Sequence, residues 1–469
     1  MSHEFPARWS PSSWVAKPNP YQITYQDEQL TREMLEKLGK VPSLVSRMEI
    51  VKLKQALAEV ASGKAFVWQG GDCAELFDYC NEPAIEARVK LLLQMSIIFT
   101  HITHKSVVRI GRMAGQYGKP RNGLTELYNG VKIPKFHGDN INSYDVRKRE
   151  PDPTRMLMAY FHASSTLNYI RYRLYSGLDD YSGLDWELGH FAEHSVMSRY
   201  RDTVTSIAAS VANCKAGTNN YAHKLATQYG LYTSHEGLFL HQEQAMTRQW
   251  EAPTSSSKLH TPAEQSCEEV IDEKWYNMSA HFLWIGDKTR QLDGAHVEYF
   301  RGLENPIGIK VGPSMKTEEL IQLLDIVDPM KEIGKVTLIT RYGMDHVSSL
   351  LGCHIDAVKA SGHVVVWQCD PMHGNTRTAS NGMRTRSFSH IASELLLSMR
   401  IHMEHGSHLG GVHLELTADA VVECVGGSEA WTDEDLGANY TTKCDPRLNR
   451  KQSLELAFMV AEFYRREGK

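Results

Sequence analysis

Between residues 281 and 375 the chain reads, at intervals, HFLWIGDKT (281–289), PIGIKVGP (306–313), KVTLITRYG (335–343) and HVVVWQCDPMHGN (363–375). Each is a short apolar run that stops at Gly or at a polar side chain, which is how a buried strand running into a loop reads. Between them, TEELIQLLDIV (317–327) and HVSSLLGCHIDAVKA (346–360) carry a helical period. One strand every 25–30 residues or so, with helices between, is the rhythm of parallel strands joined by crossover helices.

Four further runs extend the pattern outward: KAFVWQGGDC (64–73), SVVRIGRMAG (106–115), LYTSHE (231–236) and GVHLELT (411–417). SHIASELLLSMRIHM (389–403) and KQSLELAFMVAEFYRR (451–466) supply later helices. An open doubly wound sheet shares this rhythm. Eight units, nearly all ending in a chemically active residue, favour an α/β fold of the (β/α)8 TIM-barrel type, whose active sites gather at the C-terminal ends of the strands.

Two regions stand outside the repeat. Residues 1–60 form an N-terminal extension, with one amphipathic stretch, VSRMEIVKLKQALAEVA (45–61), at its boundary with the barrel domain at 61–469. Within that domain a helical insert is expected at about 150–228, with helical patterns near 154–175 and 189–212. A loop insert is expected at about 251–272, where EAPTSSSKLHTPAEQ (251–265) is rich in Ser, Thr and Pro.

Composition narrows the function. The 469 residues are 42% hydrophobic and 23% charged, ordinary for a soluble globular protein. With 51 basic and 56 acidic residues and a net charge of -5, the chain has no footprint for nucleic acid or an anionic membrane. No run approaches the roughly 20 apolar residues of a membrane span, and MSHEFPARWSPSSWVAKPNP lacks a targeting pattern, so a cytoplasmic protein is expected. The 8 cysteines are irregularly spaced, as in a reducing compartment.

Four strand-end residues could bind a metal: Cys73, His373, Glu415 and, beyond the eighth strand, Asp445. A thiolate, an imidazole and two carboxylates suit a borderline divalent ion with positions left for water or substrate. The same four could equally be a small buried residue, a turn histidine and loop caps, since no short motif binds them together. Basic residues occupy similar places: Arg112, Lys288, Arg290, Lys310 and Arg341. At a barrel mouth they would meet phosphate or carboxylate, or each would pair with an acid on a neighbouring strand. The loop GQYGKPRNG (115–123) adds Lys119 and Arg121 in a turn able to cradle an anion, or simply a solvated turn. HITH (101–104) reads as core packing rather than a metal pair, and Cys369 with His373 lacks the second half of a structural zinc site. GxxxxGK[ST] and GxGxxG are absent, against a P-loop or dinucleotide enzyme.

The segments GGDCAE, IGRMAGQYGKPR, SAHFLWIGDKTRQLDGAH, GIKVGP, WQCDPMHGNT, HLELT, ECVGG and CDPRLNRKQSLELAF together resemble the class II 3-deoxy-D-arabino-heptulosonate 7-phosphate synthases, in the same order from about residue 40 onward. The resemblance implies a (β/α)8 barrel with added helices and a divalent metal, Mn2+ or Co2+, on Cys73, His373, Glu415 and Asp445. It implies a phosphoenolpyruvate site at Arg112, Asp287, Lys288, Lys310 and Arg341, with Lys310 and Arg112 catalytic. It places the phosphate of erythrose 4-phosphate against Lys119, Arg121 and Asn122, and it implies a homo-oligomer. Where the family reads GERTRQ this chain has GDKTRQ, so Asp287 replaces Glu and Lys288 replaces Arg. Asn122 stands for a hydroxyl residue and His137 for Arg. These departures surround the anion-binding ends, as would befit another acceptor aldehyde or, equally, neutral drift.

Overall fold

The computed structural model describes residues 9–121, 123–175, 230–250 and 274–467, with scattered positions between 202 and 209. The barrel strands are β1 Ala65–Gly71, β2 Ser106–Arg112, β3 Leu231–Glu236, β4 Phe282–Ile285, β5 Ile307–Val311, β6 Val336–Thr340, β7 Val366–Cys369 and β8 Gly411–Glu415. Each pairs in parallel with its neighbours in sequence, and β8 closes the barrel on β1. These are the eight runs read as strands, so the (β/α)8 expectation holds.

Ten helices are described: α1 Glu28–Lys40, α2 Arg47–Ala61, α3 Glu82–Thr103, α4 Thr154–Tyr175, α5 Leu240–Ala245, α6 Ala295–Phe300, α7 Thr317–Val327, α8 Val347–Ser361, α9 Phe388–Glu404 and α10 Arg450–Glu467. α3 starts where Asn81 accepts from the amide of Ala84 and Pro83 sits in the first turn. α2 starts with a capping box between Ser46 and Glu49. The helical pattern near 154–175 is α4. The pattern near 189–212 lies outside the described residues save for a few positions, as does the loop expected at 251–272. HITH is only partly core: Ile102 packs against the main core and His101 is half-buried, whereas His104 caps α3 in the left-handed region at φ 56 and is exposed, where the chain turns to enter β2.

Strand alternation sorts the side chains into two cores. Outward residues such as Phe66 and Trp68 meet the helices, and Phe66 stacks on Phe99 of α3 with ring centroids 4.4 Å apart. Inward residues Val67, Val108, Phe282 and Val366 pack against Leu53, Leu57 and Val60 of α2. The second helix of the chain thus stops the base of the barrel, and chemistry is left to the other end. There Gly71 lies in register with both Arg112 and Glu415, so these two charges share one layer.

Candidate active site

Every residue of the site follows from that inward alternation or from the loop just beyond a strand. Glu415 ends β8, Cys73 lies two residues past β1, His373 is on the loop after β7, and Asp445 is on the segment leading to α10. The ligand atoms of Cys73, Glu415 and Asp445 lie within 4.8 Å of one another, all buried. His373 joins through Nε2, 3.1 Å from Glu415 Oε1, while its Nδ1 lies 2.7 Å from Asp370 Oδ2. A carboxylate behind a ligating imidazole is the usual way of fixing its orientation. The donor set of one thiol, one imidazole and two carboxylates fits a borderline divalent ion.

The surroundings keep the acids ionised. Burial alone would raise Glu415, but His373, Lys119 and Arg386 hold it well below the usual carboxylate range. Asp445 is also held down, with Lys119 opposing its burial. Burial pushes the Cys73 thiol up, and Cys444 and Glu415 beside it push further. A divalent cation would reverse that shift, since a coordinating thiol loses its proton.

The basic residues converge on the same mouth. Arg112 is buried, donating to the carbonyls of Asp72 at 3.0 Å and Cys73 at 3.1 Å and to Glu415 Oε1 at 3.3 Å. Lys310 is paired with Asp370. Burial, together with Arg112 and Arg341, draws its pKa down to about 8 against the pull of Asp370. Arg341 reaches Asp287 Oδ2 at 2.6 Å. Asp287 also takes Arg290 at 3.2 Å and the amide of Gly312 at 3.1 Å, where a Cβ would come within 2.7 Å of its oxygen. Asp287 therefore holds Arg341 as its counter-ion. Arg290 turns to Glu319 at 2.9 Å and serves structure.

Lys119, expected against a phosphate, instead puts Nζ among the acids, 2.9 Å from Cys73 Sγ, 2.7 Å from Asp445 Oδ2 and 3.7 Å from Glu415 Oε1. Arg121 bonds the Phe136 carbonyl at 2.9 Å and lines the cavity wall. Lys288 is exposed on the same wall. His137 is buried, its amide donating to Asn142 at 2.9 Å, and Asn122 lies outside the described residues.

Glu236 was overlooked in the sequence, although it ends the strand LYTSHE as Arg112 and Glu415 end theirs. Among the described residues its buried Oε1 has no hydrogen-bond partner, and it fills the space that a side chain at Gly286 would take. Burial raises its pKa, with Lys119, Lys310 and Arg112 opposing.

Arg112, Lys119, Arg121, Glu236, Lys310, Arg341, His373 and Asp445 line one cavity of about 860 Å3, with Cys73 and Glu415 buried behind them. Its described walls carry ten Lys and Arg side chains against four Asp and Glu, so a chain of net charge -5 has gathered its cations where anionic substrates would enter.

Comparison with known proteins agrees with this geometry. A profile of the Class-II DAHP synthetase family matches residues 9–461. The chain is 50% identical over 464 residues to the phospho-2-dehydro-3-deoxyheptonate aldolase of Neurospora crassa, covering 98% of this chain and 95% of that one. It is 41% identical over 456 residues to the enzyme of that name from Mycolicibacterium smegmatis, covering 97% and 94%. The Streptomyces coelicolor enzyme is 39% identical over 465 residues, covering 98% and 99%. With the barrel, the clustered donors and the cation-lined cavity, a match of this extent means that the chain belongs to the class-II DAHP synthetase family.

Proposed function

We propose that the protein condenses phosphoenolpyruvate and erythrose 4-phosphate, with one water, to 3-deoxy-D-arabino-heptulosonate 7-phosphate and inorganic phosphate, the first step of the shikimate pathway. The observation that carries this reading is the buried cluster of Cys73, Glu415 and Asp445, with His373, opening directly onto a cavity lined by Arg112, Lys310 and Arg341. Donors for one cation beside sites for two anions suit a metal-assisted union of two phosphorylated substrates.

On this reading Arg112, Lys310 and Arg341 receive the phosphate and carboxylate of phosphoenolpyruvate, and Lys119 and Arg121 mark the aldose side. Asn122 would complete the aldose-phosphate contacts. A divalent ion, Mn2+ or Co2+, held by Cys73, His373, Glu415 and Asp445 would polarise the aldehyde oxygen. C3 of the enol attacks the aldehyde carbon, water adds at C2, and phosphate leaves. The fixed cations hold the two substrates face to face and offset the charge that gathers between them. Lys310, with a pKa near 8, can exchange a proton at neutral pH, and Glu236 offers an acceptor across the cavity. Residues 61–469 act as one catalytic unit with 1–60 as its extension, assembled as a homo-oligomer in the cytoplasm. No helix among the described residues is long and apolar enough to cross a membrane.

The departures at Lys288 and Asp287 favour testing a second acceptor. Phosphate release from phosphoenolpyruvate is measured with Mn2+ or Co2+, with erythrose 4-phosphate or a panel of other aldehydes, with and without chelator. Chelator-sensitive release that is fastest with erythrose 4-phosphate is expected. Release only with another aldehyde would reassign the acceptor, and none with any aldehyde would leave a regulatory relative that binds without turnover.

A further inference from the structure

Beneath the metal donors runs a line of charge that touches no part of the cavity. Asp72, the residue before Cys73, accepts from Arg88 Nε at 2.6 Å on one oxygen and from Arg447 Nη1 at 2.6 Å on the other. Arg447, two residues past Asp445, turns its remaining nitrogens to Glu423 Oε2 at 3.0 Å and Oε1 at 2.8 Å, and to the hydroxyl of Thr441 at 2.8 Å. Glu423 also accepts from the amides of Thr442 and Arg447, both at 2.8 Å, and of Thr441 at 3.2 Å. The segment 441–447, which carries Asp445, is thus wrapped around one carboxylate. Asp72, Arg447 and Glu423 are 1%, 2% and 0% exposed, so no solvent competes for these bonds.

Such an arrangement is costly unless every partner is present, because each charge removed from water must be met by another. Here the cost falls where two loops from opposite ends of the chain meet, behind two nearer links, the Asp445 amide on Cys73 Sγ at 3.4 Å and Lys119 Nζ between Cys73 and Asp445. The guanidinium is the sole group bonded to both the residue preceding Cys73 and the carboxylate that shapes the Asp445 segment, among the described residues. A planar fork suits this bridging, since its directions are fixed where an ammonium's are not.

We infer that Arg447 is a positioning residue for the metal centre: by clamping the Cys73 loop to the Asp445 segment through Asp72 and Glu423, it fixes the approach of two ligands that both lie on loops, where the barrel reaches the second through Leu448 and Pro446. The inference rests on the metal reading above. Glu415 is fixed by its strand and Leu448 pairs with that strand's end, whereas Cys73 and Asp445 themselves lie on loops, so their spacing depends also on what joins those loops.

The test is Mn2+ binding to the full-length protein without substrates, read from the free-ion signal in electron paramagnetic resonance, with the unfolding midpoint taken on the same samples. Arg447→Lys keeps the charge and loses the fork, and is expected to weaken Mn2+ binding by about 10–100-fold, the range for groups that orient ligands. Thr441→Val removes one outer bond of the same guanidinium and is expected to weaken it by about threefold with the midpoint unchanged. At saturating Mn2+ both variants should regain kcat to within about twofold, with KM for phosphoenolpyruvate unaltered. Parental Mn2+ affinity in Thr441→Val, or in a folded Arg447→Lys, overturns the inference, as does a kcat that metal fails to restore. Should Arg447→Lys not fold, Thr441→Val decides alone. Failure of the unaltered protein to bind Mn2+ would instead strike the metal reading itself.

Discussion

The two ends of the barrel are built from the same strands and face opposite tasks. Along β2, Val108, packed at the base, lies four positions before Arg112 at the mouth, and Val366 of β7 lies four positions before Asp370, just past the strand's end. At the base the inward side chains and α2 bury mainly apolar surface, with Thr337 and Tyr232 as polar exceptions, and such burial stabilises without needing any particular geometry. At the mouth nearly every inward side chain is charged, and each is met by a partner: Arg112 by Glu415, Lys310 by Asp370, Arg341 by Asp287. The base is therefore where apolar burial is concentrated, and the mouth is where buried charges are held in pairs. Glu236, with an unmet buried oxygen, departs from this pairing, as a group awaiting substrate or water would.

Variants can break this division or sharpen it. The largest effect is expected from Cys73→Ala and His373→Ala: loss of turnover by on the order of 1000-fold or more, with a near-parental unfolding midpoint. Full activity in both would remove the metal assignment. The converse variant is Leu57→Ala at the base, which should lower unfolding free energy by about 2–5 kcal/mol in a denaturant titration. Its kcat should stay within about twofold, because Leu57 lies outside the cavity and meets the mouth only through the shared base cluster that includes Trp284. A large loss of kcat would show that the ends are coupled.

The third effect concerns pH. Lys310 must be protonated to meet an anion, and its pKa is drawn down to about 8, so kcat/KM should fall as pH rises through that value. The loss should approach roughly tenfold per unit at higher pH. Lys310→Arg keeps its charge throughout, so an unchanged limb in that variant would assign the titration elsewhere. The smallest effect is expected at the rim, where Lys288 is exposed. Lys288→Arg supplies a bidentate fork and should lower KM for phosphoenolpyruvate by roughly threefold if Lys288 faces its phosphate. No change would place Lys288 outside that contact.

Much of this was legible because barrel strands are local events. The eight apolar runs needed only period and punctuation to be found, and TEELIQLLDIV matches α7 from end to end. Strand-end position also picked out Arg112, Lys310 and Glu415, since inward alternation and the C-terminal mouth are general properties of the fold. Glu236 carried the same signal and was missed because LYTSHE was read for its apolar part. The pairing of Asp287 was not legible for a different reason: its partners Arg341 and Gly312 lie just beyond other strands, and no spacing along the chain reports them.

The amino-acid sequence by itself determined the order and number of the strands, the end of the barrel at which chemistry gathers, and the residue types available for it. Those depend on hydrophobic period and on residue chemistry, both written locally. Only the tertiary structure decided that α2 plugs the base, that Lys119 lies among Cys73, Glu415 and Asp445, and that Arg447 bridges Asp72 to Glu423. Pairings of buried charge are chosen by distance in space, and residues hundreds of positions apart, such as Asp72 and Arg447, become neighbours only when the barrel closes.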